Sequence, residues 1–574
     1  MYTPPLAPVA DSLLWSSLIA LLPLATVFVL LGALRWKAHW AGLTALGVAA
    51  AVALLAYQMP ADLVALSATQ GFAFGLFPIM WIVVNAIWLY ELTVRSGRFE
   101  DLRLVIDRVS DDPRVQAIII AFCFGGLLEA LAGFGAPVAI TGVMLMAVGF
   151  TAMRAATIVL LANTAPVAFG AIAIPIITAG NLTGIPYEEI GAVVGHQTPF
   201  VAFLVPVFLV LLADGRRGVR ETWPIALVIG VTFAVAQFVS ATWISVELTD
   251  IIAALAGLAA AVLLLRFWQP AGSAAARERL SDESEADADA PGASGASGGS
   301  GASGGSGAPA GSAGTTTVPG TAVDLTGTRV FLSLFPYLLV IAVFSVAKLW
   351  DPVVTWLAGT DVKIPWPGLD GNVLTAAGTP TGSTVYTFTW LSSPGTLLLL
   401  CGLVVALVYR VSLPDAAVLY GRNLVKLRFS ILTVGSVLAL AYVMNQSGQT
   451  ITIGTWIAGT GAAFAFLSPI LGWLGTAVTG SDTSANALFA TLQQTAAERA
   501  GLDPTLLVAA NTTGGVVGKM ISPQNLTIAA TAVGLVGRES DIFRKVIWWS
   551  LGMLAVICLL VGLQSSVLSW MLPG

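Results

Sequence analysis

The sequence predicts an all-α polytopic membrane protein of about 12 transmembrane helices plus two re-entrant hairpins, arranged as two inverted repeats. Three observations carry this prediction. Hydrophobic residues make up 57% of the 574 and charged residues 10%, with a mean hydropathy of +0.87, whereas a soluble globular chain carries about 25% charge. Apolar runs of about 20 residues, enough to cross a bilayer, recur along the chain. Lysines and arginines cluster in some connections and are scarce in others, which orients the runs.

Taken in order, the apolar runs lie near 13–34, 40–58, 69–94, 116–150, 152–178, 189–213, 221–245, 249–268, 329–349, 394–411, 429–448, 464–498, 505–534 and 546–570. Arg35 and Lys37 follow the first run, and Arg95, Arg98, Arg103, Arg108 and Arg114 follow the third. Arg216, Arg217 and Arg220 follow 189–213, and Arg266, Arg277 and Arg279 follow 249–268. Arg410, Arg422, Lys426 and Arg428 precede 429–448, and Arg538, Arg544 and Lys545 precede the last run. These clusters belong in the cytoplasm. The connections 59–68, 245–250 and 350–390 are poor in Lys and Arg and belong outside, with both termini.

That orientation makes 116–150 enter and leave on one side. It has the length of two short arms, and Gly133, Gly135 and Pro137 in "GFGAP" break a helix at its middle. The same reasoning makes 464–498 start and end outside, with "TGSDTSAN" (479–486) as its break. Non-helical backbone at membrane depth is tolerated where it lines a protein cavity, so the two hairpins imply a site.

The halves also repeat. "ANTAPVAFGAIAIP" (162–175) and "ANTTGGVVGKMISP" (510–523) align without gaps at an offset of 348, and the hairpin starts, 116 and 464, share that offset. The first repeat covers 1–213: three spans, the hairpin, a broken helix at 152–178 and the span 189–213. A linking pair of spans covers 214–268. Residues 269–328 contain "SDESEADADA" and a Gly/Ser/Ala tract, and read as a disordered cytoplasmic linker. The second repeat covers 329–574: three spans, the hairpin, a broken helix at 505–534 and the last span. The first repeat begins outside and the second inside, so the two are inverted. Binding is then expected near the midplane, where broken helices meet, with elevator-type alternating access.

Cys123, Cys401 and Cys558 each lie in an apolar run and read as core residues. His39 and His196 lack metal-ligand spacing, and no metal site is expected. The N-terminus "MYTPPLAPVADS" has no basic n-region, so no cleavable signal peptide is expected.

Glu129 is the only charged residue in 116–150. Desolvation and the C-terminal end of a helix both disfavour its charged form, which makes it a candidate proton carrier. The plainer alternative is a structural carboxylate paired with Lys519. Lys519 is the only charge in 505–534, and an ammonium at that depth needs an anion, either a substrate or Glu129 or Asp482. Asp482 sits with Ser481, Thr483 and Ser484 at the second hairpin tip. These residues read equally as helix caps and as an anion site with a second proton-coupling group. Asn163, Thr164, Asn511 and Thr512 recur at the breaks and offer hydrogen bonds to freed backbone or to a ligand. Gly133 and Gly135 complete the candidate binding set. Pro166, Pro175 and Pro523 keep the helices broken. His196 reads first as a satisfied core histidine and second as a proton relay.

Five stretches, "LLEALAGFGAPVAIT", "NTAPVAFGAIAIPI", "VRETWPIAL", "GWLGTAVTGSDTSANALF" and "VAANTTGGVVGKMISPQ", together resemble the L-lactate permease family. The resemblance covers nearly the whole chain except the long Gly/Ser linker, which departs from the family pattern. It implies a multi-pass symporter of the bacterial inner membrane that imports L-lactate, and glycolate or D-lactate, with a proton. It also implies that the anion meeting Lys519 is a small monocarboxylate. No cofactor beyond the coupling proton is expected, the bilayer is the remaining partner, and no nucleic acid is. Monomer and homo-oligomer stay open. The alternative is a sodium-coupled carrier of another small carboxylate, with backbone and Asn/Thr/Ser oxygens as ligands. An intramembrane enzyme is disfavoured by the lack of a paired His motif or a catalytic dyad in register. A channel fits inverted hairpins less well than alternating access does. No GxxxxGK[ST] motif suggests ATP-driven transport.

Overall fold

A computed structural model of the protein describes residues 1–133, 135–288, 326–374 and 379–573. Apart from one antiparallel ribbon, Val362–Pro365 against Val385–Phe388, the described chain is helical. Nine helical stretches among the described residues are long and apolar enough to cross a membrane: Leu13–Ala33, Ala38–Leu55, Ala61–Arg95, Pro113–Leu131, Thr198–Ile244, Gly327–Leu349, Leu413–Ser447, Gly461–Thr479 and Glu539–Gln564. Shorter apolar helices include Ala136–Val148, Ala152–Ala162, Gly170–Thr183, Thr249–Leu265 and Pro394–Val408.

The stretch Thr198–Ile244 is two antiparallel arms. The helix turns back at Asp214 and Gly215, whose backbone leaves the helical region. Its arms then touch closely enough that a Cβ on Gly230 would lie 2.5 Å from the Phe203 carbonyl. This turn separates the two runs read as 189–213 and 221–245.

Two groups of helices organise the molecule. Ala38–Leu55 and the Ala61–Arg95 stretch pack on Leu413–Ser447 and Pro394–Val408, forming a frame from the early spans of both halves. The second group contains two helix–turn–helix units and two interrupted helices. The first unit runs from Pro113 to Ala132, turns at Gly133 and Gly135, and returns as Ala136–Val148. Gly135 sits at φ 85°, a left-handed conformation that a side chain would strain. The arm Pro113–Leu131 is buried on nearly all sides, so its apolar residues face protein rather than lipid. The second unit is Phe464–Thr479 and Asp482–Ala500, joined by Gly480 at φ 77° and capped by Ser481, whose Oγ accepts from Ser484 N.

The first interrupted helix comprises Ala152–Ala162, a turn over 163–169, and Gly170–Thr183, with Ala171, Ile172 and Ala173 in the left-handed region. The second comprises Pro504–Gly518, a single 3₁₀ turn over Lys519–Ile521, and Pro523–Ala532. Gly514, Gly515 and Gly518 therefore lie inside the helix and do not make the break. Their function is close approach: a Cβ on Gly514 would collide with the Pro469 carbonyl, and one on Gly472 with the Asn511 carbonyl. Small residues let these two backbones pack in contact. The break comes from Ser522 and Pro523, where an extended Ser522 caps the next helix.

Two further observations bear on the expected topology. Tyr2 pairs with Val373 and its hydroxyl donates to the carbonyls of Tyr57 and Ser447, so the N-terminus shares a face with 59–68 and 350–390. On another face Arg114, fully buried, joins Asp112, Asp214, Glu221 and the Ala271 carbonyl, connections all assigned to the cytoplasm. The linker expected to be disordered from 269 needs correction at its start. Ser273–Ala288 is a helix, tied down by Ser273 to Asp112, Arg279 to Asp214 and Arg154 to Glu283. Its arginines find acidic partners on the body, which composition alone does not reveal. Residues 289–325, which hold the Gly/Ser tract, lie outside the described residues.

Candidate functional site

Both hairpin turns converge on the helix Pro523–Ala532. A Cβ on Gly135 would collide with Ile528, and one on Gly480 would lie 2.6 Å from Gln524 Oε1. The 3₁₀ turn before this helix carries Lys519 into the space between the turns. Its Nζ donates to Glu129 Oε1 at 2.5 Å, and both side chains are buried, at 9% and 3% exposure. Glu129 rides on the last turn of the first hairpin arm. Gly170 of the first interrupted helix leaves room for it, since a Cβ there would lie 3.0 Å from Oε1. Ala171, the repeat counterpart of Lys519, packs against Gly133. The pair thus joins parts of both halves at their breaks.

Beside the pair, Val138, Leu160, Asn163, Thr164, Lys519, Met520 and Asn525 line a tight cleft with no room for a water molecule. A larger, open groove of about 640 Å³ is lined by Arg216, Arg217, Arg220, Trp223 and Trp268, none of which belongs to a hairpin turn or a break. The small cleft is the better candidate, because it holds the buried charge and the polar side chains of the breaks.

The structure brings most of the predicted residues together, in different ways. Lys519, Asn163 and Thr164 line the cleft. Asn163 Oδ1 is buried without a partner, while Thr164 Oγ1 donates to the Leu161 carbonyl at 2.7 Å. Asn511 and Thr512 face the second hairpin instead, where both donate to Asn486 Oδ1, at 2.9 and 3.1 Å. Asn486 in turn donates to the Pro175 carbonyl at 3.2 Å, which ties the second hairpin to the first interrupted helix. Asp482 is buried beside Gly515 and accepts from Thr476 at 3.2 Å through Oδ1, while Oδ2 has no partner. Ser481 caps the hairpin helix, Ser484 supplies the capped N–H, and Thr483 is half-buried beside them. His196 is not brought to this cluster. Its Nδ1 pairs with the Ala192 carbonyl of its own helix at 2.6 Å, and its ring meets Phe238 edge-on.

Three residues of the site escaped the sequence reading. Asn525 donates to the Lys519 carbonyl and to Ser522 Oγ, each at 3.0 Å, and so holds the 3₁₀ turn in place. Gln237 donates to the Ala165 carbonyl within the first break at 3.2 Å and to Asp250 Oδ1 at 3.4 Å. Asp250 is itself fully buried. An Asn two residues past a helix-starting proline carries a detectable capping signal. Gln237 and Asp250 gave none, because an acid at the head of an apolar run reads as an ordinary cap.

Chemically, the arrangement is one ammonium among three buried carboxyl groups. The ammonium can pair with one anion at a time. An anion reaching Lys519 would have to compete with Glu129 for it.

Comparison with known proteins finds one family model and three similar relatives. Residues 16–568 match the model of the family described as L-lactate permease. The chain is 40% identical over 589 residues to the L-lactate permease of Bacillus subtilis strain 168, covering all of both chains. It is 41% identical to the glycolate permease GlcA of Escherichia coli K12, over 97% of each chain, and 41% identical to the L-lactate permease of that strain, over 98% of each.

Proposed function

The chain belongs to the L-lactate permease family, and from that premise we propose that it imports L-lactate, with glycolate or D-lactate as further substrates, by proton symport across a bacterial inner membrane. It is a multi-pass membrane transporter; the substrate, the coupling ion and the membrane are the reading advanced here. The observation that carries it is the Lys519–Glu129 pair, buried at the convergence of both hairpin turns. The lactate carboxylate takes the place of Glu129 on the ammonium, Asn163 and Thr164 flank it, and Glu129 leaves the pair carrying the symported proton. Asp482, with an unpartnered Oδ2, is next in line as a coupling group. The reading places no step on His196.

Two further features belong to the same proposal. The units 113–148 and 464–500 are re-entrant hairpins in inverted repeats, among about 12 spans. The hairpins and interrupted helices move as a body against the frame, as in an elevator. What supports this is the near-complete burial of the first hairpin arm and the close packing of the frame helices on one another.

Uptake of labelled L-lactate into proteoliposomes tests the function. An inward proton gradient alone should drive accumulation, and a sodium gradient alone should not. Accumulation that follows sodium and ignores pH would establish the alternative coupling.

A further inference from the structure

The buried carboxyl that neither the sequence reading nor the exchange at Lys519 uses is Asp250. It begins the helix Thr249–Leu265 and is fully buried. Its Oδ1 accepts one long hydrogen bond, 3.4 Å from Gln237 Nε2, and its Oδ2 has no partner. That same Gln237 amide donates to the Ala165 carbonyl inside the first break. Asp250 is therefore linked to the first break through Gln237, by a single long hydrogen bond and with no ion pair among the described residues.

Its surroundings define what it can exchange with. The helix packs against 119–124, which carries Cys123, and 125–132, which carries Glu129. It also packs against the Thr198–Val239 arms, 240–244 and Gly327–Leu349. The arms hold their charges, Asp214 to Glu221, at the cytoplasmic turn. Gly327–Leu349 carries Arg329, Tyr337 and Lys348, of which Lys348 is paired with Glu247 at 2.9 Å. Of these neighbours, 125–132 brings Glu129, which is paired with Lys519. Unpartnered acceptors gather in the same region: Glu129 Oε2, Asn163 Oδ1, Gln237 Oε1 and Asp250 Oδ2. Such an excess of acceptors over donors is relieved by protons on the carboxyls.

We infer that Asp250 is a resident proton site of the transporter, which holds a proton while Glu129 is tied to Lys519 and hands it to Glu129 as the substrate carboxylate takes the ammonium. The O–H bond on Asp250 breaks, one forms on Glu129, and Asp250 regains a proton from water on the open side. Net uptake stays at one proton per anion, and no other reactant is needed. This inference rests on the proposed exchange of anions at Lys519. It gives Asp250 a relay function, as buried acids serve in other proton-coupled carriers.

Lactate counterflow at equal pH, measured in proteoliposomes for four proteins, tests it: wild type, Glu129→Gln, Asp250→Asn and the double variant. Asp250→Asn should slow exchange by about tenfold or more, since Glu129 loses its positioned donor. In the Glu129→Gln background, where no proton has to move, Asp250→Asn should change nothing. A double variant slowed as much as Asp250→Asn alone would make Asp250 structural, and wild-type speed in Asp250→Asn would remove it from the relay. Loss of counterflow in Glu129→Gln itself would instead overturn the underlying reading of Glu129. If Asp250→Asn fails to insert, Asp250→Glu carries the test. It should exchange with a shifted pH profile, and an unshifted profile overturns the inference.

Discussion

An ammonium inside a membrane protein is expensive, and the expense determines its company. Lys519 meets it with Glu129 at 2.5 Å, so the plainer of its two sequence readings, a carboxylate partner, is the arrangement seen in the structure. The two readings are compatible if the partner is exchangeable. A hydrogen bond to a charged group is worth roughly 1.5–3 kcal/mol, or about 10- to 150-fold in affinity. Lys519→Met should weaken L-lactate binding by that order, and Lys519→Arg should restore it only in part, because a planar guanidinium does not fit the space of a compact ammonium. Calorimetric titration of purified, folded variants reads the effect, and unchanged affinity in Lys519→Met would leave the lysine a purely structural partner. At this scale the sequence was informative wherever a charge was isolated. Glu129 and Lys519 each stand alone in a long apolar run. Asp250 sits at a run's edge, where caps are common, and Asn511 and Thr512 turn away from the cleft because Asn486 of another helix offers them a partner.

Elements are held here by close approach and by buried charge. Phe464–Thr479 and Pro504–Gly518 touch backbone to backbone through Gly472 and Gly514. Gly514→Val should push the arm of the second hairpin off its interrupted helix, at about 1–3 kcal/mol or more for overpacking. A thermal unfolding midpoint equal to wild type would show that the contact is slack. At the Arg114 cluster, burial pushes the Asp112 carboxyl up, but the Arg114 guanidinium and the Ser273 hydroxyl outweigh it and hold the carboxyl below the usual carboxylate range. A depressed folded value means that the contribution of Asp112 to stability is fully present above its unfolded value, about 3.9. It is lost as pH falls through the lower folded value. Asp112→Ala should cost about 3 kcal/mol at neutral pH and should flatten the loss of stability on acidification; thermal unfolding across pH checks both. The sequence located these elements through breaks and orientation. The second break falls at Pro523, the proline read as keeping that helix broken, whereas Gly514, Gly515 and Gly518 show that glycines admitting a neighbouring backbone look the same in sequence as glycines that end a helix. The sequence reading missed the Ser273–Ala288 helix, whose order depends on acidic partners distant in the chain.

At the scale of the whole molecule, the Lys519–Glu129 pair lies at the two stretches that align in sequence, 162–175 and 510–523, with Lys519 standing where the first has Ala171. That the chain is an all-helical, multi-pass membrane protein was legible because length and hydropathy act over whole segments. The site was legible only where symmetry failed. The central claim is that the substrate displaces Glu129 from Lys519 and that Glu129 then takes the proton. The most direct test is the number of protons taken up when L-lactate binds. It is measured by calorimetry of the purified protein in buffers of different ionisation enthalpy. Wild type should take up about one proton per lactate at neutral pH, the change expected when a salt-bridged carboxylate becomes a neutral acid, and Glu129→Gln should bind lactate with none. Lactate binding without proton uptake in wild type, or uptake that persists in Glu129→Gln, would contradict the account.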